Sequence, residues 1–361
     1  MDENRPDRPR KGRGAVSNAS GRYEAETRHA VDDGWDLEDD LPPLRTTVAF
    51  DASRSIIATN DSPDIPFDQS INPYRGCEHG CVYCYARPSH AWLGLSPGLD
   101  FETKLFAKKD AAVLLDKALR RPGYVCKTIV LGSNTDAYQP VERAHRITRS
   151  ILEVLAAYDH PVSIITKSAL VLRDLDILAP MAAKGLVAVR ISVTSLDGEL
   201  ARRLEPRAPA PHRRLDTIRR LSDAGIPTGV MAAPMIPFLN DAELERILEA
   251  SASAGAVMAG YVLLRLPLEL RSLFAEWLEA HVPGKARHVL NQLRESREGA
   301  LNDSRFGVRM KGTGVHAELL AKRFRLACRR LGLNAPRPRG FDPETRLFRP
   351  PPRPGDQLIL L

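Results

Sequence analysis

Short β-branched segments alternate with helical patterns from about residue 70 to residue 281, and this alternation limits the fold more than any other feature. Six strands are predicted, and they read QSINPY, KTIVLG, VSIIT, VAVRISVT, TGVMAA and AVMAGYVLL. Strands joined by helices in this way form a parallel sheet, which either stays open or curls into a barrel. Both arrangements place functional residues at the carboxyl ends of the strands, so site residues are sought there.

Both ends of the chain lack this alternation. Residues 1–45 are polar and show no periodic apolar pattern, so we expect a disordered N-terminal segment. Residues 46–281 are predicted to form the core domain. Residues 282–361 form a basic, proline-rich C-terminal extension. The 28 prolines against 10 phenylalanines indicate that part of the length lies outside the core.

Cysteine content, hydropathy and charge exclude several classes of protein. Five cysteines in 361 residues, three of them clustered, do not form a disulfide scaffold, so we expect a reducing compartment, the cytoplasm. No stretch approaches the roughly 18 uncharged residues of a membrane span, and we expect no membrane partner. The net charge of +7 permits an anionic partner.

Three cysteines, Cys77, Cys81 and Cys84, lie within eight residues in a glycine-containing loop after the first predicted strand. Structural zinc takes four ligands, usually as two separated pairs, and the sequence shows no second C-x2-C or H-x3-H downstream, although His79 or His90 could complete a zinc site. A [4Fe-4S] cube takes one thiolate per iron, so three cysteines leave one iron open to bind a reactant. The spacing favours the cube.

The spacing of these cysteines, with Tyr83 directly before the last of them, resembles the cluster motif of the radical S-adenosylmethionine (SAM) enzymes. The resemblance implies a [4Fe-4S] cluster and S-adenosylmethionine as cofactors, with reductive cleavage to a 5′-deoxyadenosyl radical that abstracts hydrogen from a substrate. It implies an α/β fold with a parallel (β/α)6 partial TIM barrel, and a low-potential electron donor of the flavodoxin or ferredoxin type. It also places Tyr83 beside the cofactor.

Polar residues at the predicted strand ends suit the parts of S-adenosylmethionine. Asp136 or Thr135, after the second strand, could accept the ammonium of the methionine moiety, and Lys167, after the third, could pair with its carboxylate. Ser192 and Thr194, at the fourth, are candidates for the ribose. The alternative is that the three hydroxyl residues only cap turns and helices.

Six segments together resemble the spore photoproduct lyase-like branch of this superfamily, over about residues 72–266: YRGCEHGCVYCYAR, TDAYQPVE, ITKS, ISVTSLD, LEPRAPAPHRRL and AGIPTGVMAAPMIP. The resemblance implies that Lys167, Thr135 and Ser192 lie against the cofactor. Arg207, in the segment EPRAP, either joins them or forms a surface salt bridge with Glu205.

One departure from that branch concerns the hydrogen-atom donor. Spore photoproduct lyases carry a cysteine just before the small polar residues after the second strand, whereas this chain has Gly132, Ser133 and Asn134 there. An O–H bond is much stronger than an S–H bond, so Ser133 cannot replace that thiol. Cys126 and Cys328 are expected to be core residues. Efficient repair of spore photoproduct is therefore not expected.

The C-terminal extension is strongly basic, with ten Lys or Arg and one acidic residue between Arg305 and Arg339. Lys322, Arg325 and Arg329 are predicted to face away from the apolar side of a helix, where they either contact nucleic acid or form a solvated surface. Three functions stay open: a radical SAM enzyme of unknown substrate, a DNA-lesion lyase of the spore photoproduct lyase type, and a zinc- or iron-sulfur-binding protein without catalysis.

Overall fold

A computed structural model describes residues 8–28, 44–336 and 344–352. Strands account for a small share of these residues and form two sheets. In chain order they are β1 (Thr47–Phe50), β2 (Ala58–Thr59), β3 (Gln69–Ile71), β4 (Tyr74–Arg75), β5 (Lys104–Ala107), β6 (Ile129–Leu131), β7 (Val162–Thr166), β8 (Val187–Ser192), β9 (Thr228–Met235) and β10 (Met258–Leu263).

The α-helices lie mostly between the strands of the larger sheet. They are α1 (Asp100–Thr103), α2 (Ala111–Leu119), α3 (Glu142–His145), α4 (Ile147–Ala157), α5 (Leu175–Ala183), α6 (Gly198–Leu204), α7 (Pro211–Asp223), α8 (Leu244–Ser253), α9 (Leu270–His281), α10 (Pro283–Glu295) and α11 (Gly314–Leu331). Short 3₁₀ helices span Arg87–Leu93, Ala169–Asp174 and Asp241–Glu243.

The larger sheet has seven strands in the order β10-β9-β8-β7-β6-β3-β2. The six from β3 to β10 in this order are parallel, and β2 pairs antiparallel at one edge. Each of these six parallel strands coincides with one predicted segment, although β9 extends two residues beyond its segment, which confirms the α/β class and the mostly parallel sheet. Most residues of β6, β7 and β8 are buried, and the buried apolar residues of these strands belong to the main hydrophobic core.

Helix α4 shows how the sequence attaches a helix to this sheet. Ile147, Ile151, Leu152 and Leu155 recur at helical spacing and are buried, whereas Glu153 is exposed. The same amphipathic pattern recurs in α7 and α8. Covering helices of this kind leave the strand ends as the place where polar side chains can meet.

A smaller sheet in the order β1-β5-β4 was not predicted from the sequence. Strand β5 pairs parallel with β1 and antiparallel with β4. In the chain, β4 directly precedes the three cysteines, and β5 follows them after α1. Because β4 and β5 pair with each other, this sheet holds together the two ends of the segment that contains the cysteines.

The basic C-terminal region is folded where the structure describes it. Helix α10 packs its buried face with α9, and α11 packs on α8 through Arg323, which pairs with Glu245 at 2.6 Å. Further along, Phe348 contacts the rings of Tyr124 and His160, each at 5.4 Å between centroids. The boundary at residue 282 stays a prediction.

The expectation of a disordered N-terminal segment does not fit residues 8–28. Ala15, Val16 and Ser17 are buried, and Arg13 is only 8% exposed. The hydrogen bonds that Arg13 and the Gly14 N–H donate to Glu102 span 89 and 88 positions, and composition does not reveal such contacts. Residues 1–7 and 29–43 lie outside the described residues. No helix within the described ranges is long and apolar enough to cross a membrane.

Candidate functional site

The three cysteines lie in a loop of residues 76–86, called the cysteine loop below, beyond the carboxyl end of β3. Backbone hydrogen bonds form successive tight turns in it, from Gly80 N–H to the Cys77 carbonyl at 3.3 Å and from Cys84 N–H to the Cys81 carbonyl at 3.2 Å. Gly80 has a φ of 67°, which L side chains rarely adopt. These turns hold the three cysteines on one short, well-defined piece of backbone.

The three thiols are free; Cys77 and Cys81 are buried, and Cys84 is half-buried. Burial, followed by the carboxylate of Asp136 and the charges of the other two cysteines, raises the pKa of Cys77 well above its usual value. Burial likewise raises the pKa values of Cys81 and Cys84. Thiolates in this loop therefore need a nearby positive charge, which a bound metal centre would supply.

The donor set fits a cube better than a single metal ion. Among the residues that the structure describes, no three His, Cys, Asp or Glu side chains converge closely enough to ligate one ion. His79 faces Asp136, and His90 contacts the carbonyl of Lys104 at 3.0 Å through Nε2. A [4Fe-4S] cube instead binds each thiolate at a separate iron, which requires the thiols to be spread around it.

A buried network joins the cysteine loop to the ends of β7 and β8. The Tyr83 hydroxyl lies 3.1 Å from Thr194 Oγ1 and donates to Glu205. Lys167 Nζ lies 3.6 Å from Glu205 Oε1 and 5.6 Å from the centre of the Tyr83 ring. Arg214 supplies a second cation to Glu205. The structure thus brings Tyr83, Lys167 and Thr194 together.

Asp136 is occupied by partners within the protein. Its carboxylate accepts hydrogen bonds from Thr166 Oγ1 at 2.6 Å and from the N–H groups of Lys167 and Tyr138 at 2.8 and 2.9 Å. His79 Nδ1 lies 3.3 Å away. Burial alone raises the pKa of Asp136, but the facing His79 and the hydrogen bonds outweigh it and hold the pKa at about 2. This carboxylate ties the loop after β6 to the end of β7.

The hydroxyls of Thr135 and Ser192 differ in their hydrogen bonding. The Thr135 hydroxyl donates to the carbonyl of Tyr74 at 2.8 Å, as expected for a residue that fixes a turn. Ser192 ends β8, and its hydroxyl has no hydrogen-bond partner within the described ranges, although the residue is only 7% exposed. The Ser192 hydroxyl can therefore accept a contact from a ligand at the strand end.

Arg207 reaches the cysteine loop but not through the predicted partner. Its guanidinium pairs with Glu78 at 3.2 Å, and its N–H donates to the carbonyl of His79 at 3.3 Å. The alternative of a surface salt bridge with Glu205 was wrong, because Glu205 is buried and pairs with Arg214 and Lys167. The chain turns after α6, so the side chains of Glu205 and Arg207, two positions apart, contact different partners.

Besides Arg214, the structure adds Tyr85 and Arg265, which we did not identify from the sequence. Tyr85, directly after the last cysteine, is 47% exposed, and its hydroxyl donates to the carbonyl of Ser133. The guanidinium of Arg265 lies 5.1 Å from the centre of the Tyr85 ring. Arg265 follows β10 by two residues, so the strand-end rule that identified Lys167 would also have identified it.

This site has the features of a cluster-binding enzyme of the α/β class, with a cysteine loop and polar groups gathered at the carboxyl ends of parallel strands. Residues 71–250 match the family model described as the Radical SAM superfamily. The chain belongs to that superfamily. Its members use a [4Fe-4S] cluster and S-adenosylmethionine, the two cofactors that the resemblance implied.

Sequence relatives match the chain over its central part. An uncharacterized protein of Mycobacterium tuberculosis is 40% identical over 216 residues, which are 59% of this chain and 64% of that protein. An uncharacterized protein of Methanocaldococcus jannaschii is 31% identical over 173 residues, 48% of this chain and 62% of that protein. The chain thus spans less than two thirds of the length of these relatives.

A solved structure of spore photoproduct lyase in complex with dinucleoside spore photoproduct shares the fold, with a TM-score of 0.56. The match covers 79% of this chain and 80% of that chain at 17% sequence identity. At this identity the likeness concerns the fold, so it supports the arrangement of strands around the site.

Proposed function

We propose that this protein is a radical SAM enzyme that generates a 5′-deoxyadenosyl radical to abstract hydrogen from a substrate of unknown identity. The observation that carries the proposal is the cysteine loop at the carboxyl end of β3, tied by Tyr83 to the strand-end cation Lys167. When bound, the [4Fe-4S] cluster supplies the electron that cleaves the sulfonium of S-adenosylmethionine. Cys77, Cys81 and Cys84 would hold three of its irons.

The strand-end residues then bind and orient the cofactor. Lys167 supplies the cation for the methionine carboxylate, and Ser192 supplies a hydroxyl for the ribose. Tyr83 and Thr194 act through Glu205 by fixing the position of Lys167.

The remaining candidates hold the surrounding backbone. We assign Thr135 and Asp136 an indirect role, because their polar atoms already bind Tyr74, Thr166 and neighbouring N–H groups. Arg207 is retained as a cofactor contact, because its side chain is 35% exposed beside the cysteine loop.

Two broader features belong to this proposal. The six parallel strands and their covering helices would curl into a (β/α)6 partial barrel, which excludes water from the radical. The electron would come from a low-potential donor of the flavodoxin or ferredoxin type.

Anaerobic reconstitution tests the proposal. The wild-type protein should bind iron and sulfide, absorb broadly near about 400 nm, and release 5′-deoxyadenosine from S-adenosylmethionine after reduction. Cys81→Ala should abolish both properties, whereas Cys126→Ala, at the far end of β6, should retain them. Stoichiometric zinc without this absorption would instead establish the protein as a zinc-binding protein.

A second candidate is a lyase that acts on a DNA lesion. Arg265 forms no salt bridge among the described residues, and with the exposed Tyr85 it offers a cation and an aromatic face beside the cysteine loop. Lys322, Arg325 and Arg329 are exposed on α11. DNA binding that weakens steeply with salt, and weakens further in Arg265→Ala, would favour this candidate over the unknown substrate.

A further inference from the structure

The segment of residues 13–18, called the N-terminal strap below, packs directly on the cysteine loop. A Cβ atom added to Gly14 would lie 1.7 Å from the carbonyl oxygen of Gly80, so only glycine permits this approach. A Cβ atom on Gly98 would likewise lie 2.3 Å from the carbonyl oxygen of Ser17. The backbones of the strap and of the segments around the cysteines are therefore in van der Waals contact.

The apolar part of the strap belongs to the same packed cluster as the cysteine loop. Val16 is 4% exposed and packs in one cluster with Cys81, Val82 and Tyr83. Asn18 closes the other end of the strap, because its side chain exchanges two hydrogen bonds with Asp100, at 2.9 and 3.1 Å. The strap is thus fixed at several points along its length.

Glu102 connects the strap to the loop. Its carboxylate, which is fully buried, accepts hydrogen bonds from the N–H groups of Gly14 at 3.0 Å and Ala15 at 2.8 Å. The same carboxylate forms an ion pair with the guanidinium of Arg87. A buried carboxylate needs such partners, and the strap supplies two of them.

Arg87 carries the connection into the backbone of the loop. Its guanidinium is fully buried and donates to the carbonyls of Cys81 at 2.8 Å and Gly80 at 3.2 Å. It also donates to the carbonyls of Pro97 and Gly98. The path from the strap through Glu102 and Arg87 therefore ends on the carbonyl of the middle cysteine.

We propose that the N-terminal strap is the outer wall of the cluster site, and that Glu102 is a positioning residue that holds this wall and the cysteine loop together through Arg87. The inference rests on the proposed function in naming the cluster as the group enclosed. The enclosure itself is a property of the protein chain, and it can be measured without any cluster.

The first measurement is the rate at which a thiol reagent labels the apoprotein, resolved cysteine by cysteine with peptide mass spectrometry. Gly14→Ala forces the strap away from Gly80 and should speed labelling of the three loop cysteines about tenfold or more. Cys328, buried in α11, serves as the internal reference and should be unchanged. Gly198→Ala is the matched control, since an added Cβ there meets nothing within 4 Å.

The second measurement separates positioning from simple support. In the reconstituted protein, Glu102→Gln removes a buried negative charge beside the cysteine loop and leaves Arg87 without its counter-ion, so the midpoint potential of the cluster should rise. Asp174→Asn is the control, because Asp174 is also a fully buried acid and pairs with Arg149 and Arg173 instead. A merely structural effect would leave the potential unchanged.

The results divide clearly. Loop cysteines that label at the wild-type rate in both Gly14→Ala and Glu102→Gln would overturn the proposal. If the labelling of Cys328 in Gly14→Ala speeds up as much as that of the loop cysteines, this variant has unfolded. The midpoint potential measured in Glu102→Gln then decides. A wild-type protein that takes up no cluster, yet labels faster in Gly14→Ala, would refute the proposed function and leave the enclosing strap established.

Discussion

Glu205 lies at the centre of the strand-end network. This buried carboxylate accepts hydrogen bonds from Tyr83 and Thr194, and it faces the cations of Arg214 and Lys167. Lys167 and Arg214 together carry two positive charges, whereas Glu205 supplies only one negative charge. That surplus suits a site that receives the carboxylate of a cofactor.

Lys167→Ala should weaken binding of S-adenosylmethionine about tenfold or more, because a hydrogen bond to a charged group contributes roughly 1.5–3 kcal/mol. Isothermal titration of the reconstituted protein measures the affinity, and the absorbance of the cluster should stay as in wild type. Lys184→Ala, which removes an exposed lysine paired with Asp159, is the control. Unchanged affinity in Lys167→Ala would assign this lysine to the network alone.

Glu205→Gln should destabilise the apoprotein by about 3–5 kcal/mol, because it leaves two cations without their buried counter-ion. Denaturant unfolding followed by circular dichroism gives this free energy. Glu199→Gln is the control, since Glu199 pairs with Arg203 at the exposed end of α6 and should cost less than about 1 kcal/mol. Equal small losses in both variants would contradict the central place of Glu205.

At the scale of elements, the predictable parts are those whose signal is local in the sequence. The cysteine spacing and the β-branched segments each occupy a few consecutive residues, so the cysteine loop, the parallel strands and the residue after β7, Lys167, could be placed in advance. The strap could not, because Gly14 and its partner Glu102 are 88 positions apart and its polar sequence has no period. The pairing of Arg207 failed for the same reason.

The turn into β7 yields a prediction about pH. His160 is buried between Tyr124 and Phe348, and burial lowers its pKa to about 4. The unfolded chain, with a histidine pKa of about 6.5, binds more protons than the folded chain between these values. The contribution of His160 to stability is therefore complete above pH 6.5 and is lost as the pH falls from there to 4.

Replacing His160 should remove this part of the pH dependence. Between about pH 6.5 and 4 the free energy of unfolding of wild type should fall by about 3 kcal/mol more than that of His160→Gln. Urea unfolding at several pH values measures both slopes. His212→Gln, an exposed histidine at the start of α7, should keep the wild-type slope. Parallel slopes in wild type and His160→Gln would contradict a neutral, buried ring.

On the scale of the whole molecule, the positions of the five cysteines determine which thiol could donate a hydrogen atom to a substrate radical. Three are in the cysteine loop, Cys126 precedes β6 at its amino end, and Cys328 is buried in α11. Ser133, whose carbonyl accepts a hydrogen bond from Tyr85, occupies the sequence position at which the resemblance to the spore photoproduct lyase-like branch implies a thiol. A substrate radical formed there would meet no free thiol outside the cysteine loop.

We therefore expect the protein to cleave S-adenosylmethionine but not to repair spore photoproduct efficiently. A lyase without a thiol beside the substrate radical must quench it from the reformed cofactor or from solution, which gives slow turnover and abnormal adducts. The dithionite-reduced protein is incubated with S-adenosylmethionine and a spore photoproduct dinucleotide, and 5′-deoxyadenosine and thymine products are quantified together. Ser133→Cys supplies the missing thiol and should raise clean repair if the lesion is bound at all. Many clean turnovers by wild type would refute the expectation and point to another hydrogen donor, whereas the absence of 5′-deoxyadenosine would challenge the radical chemistry itself.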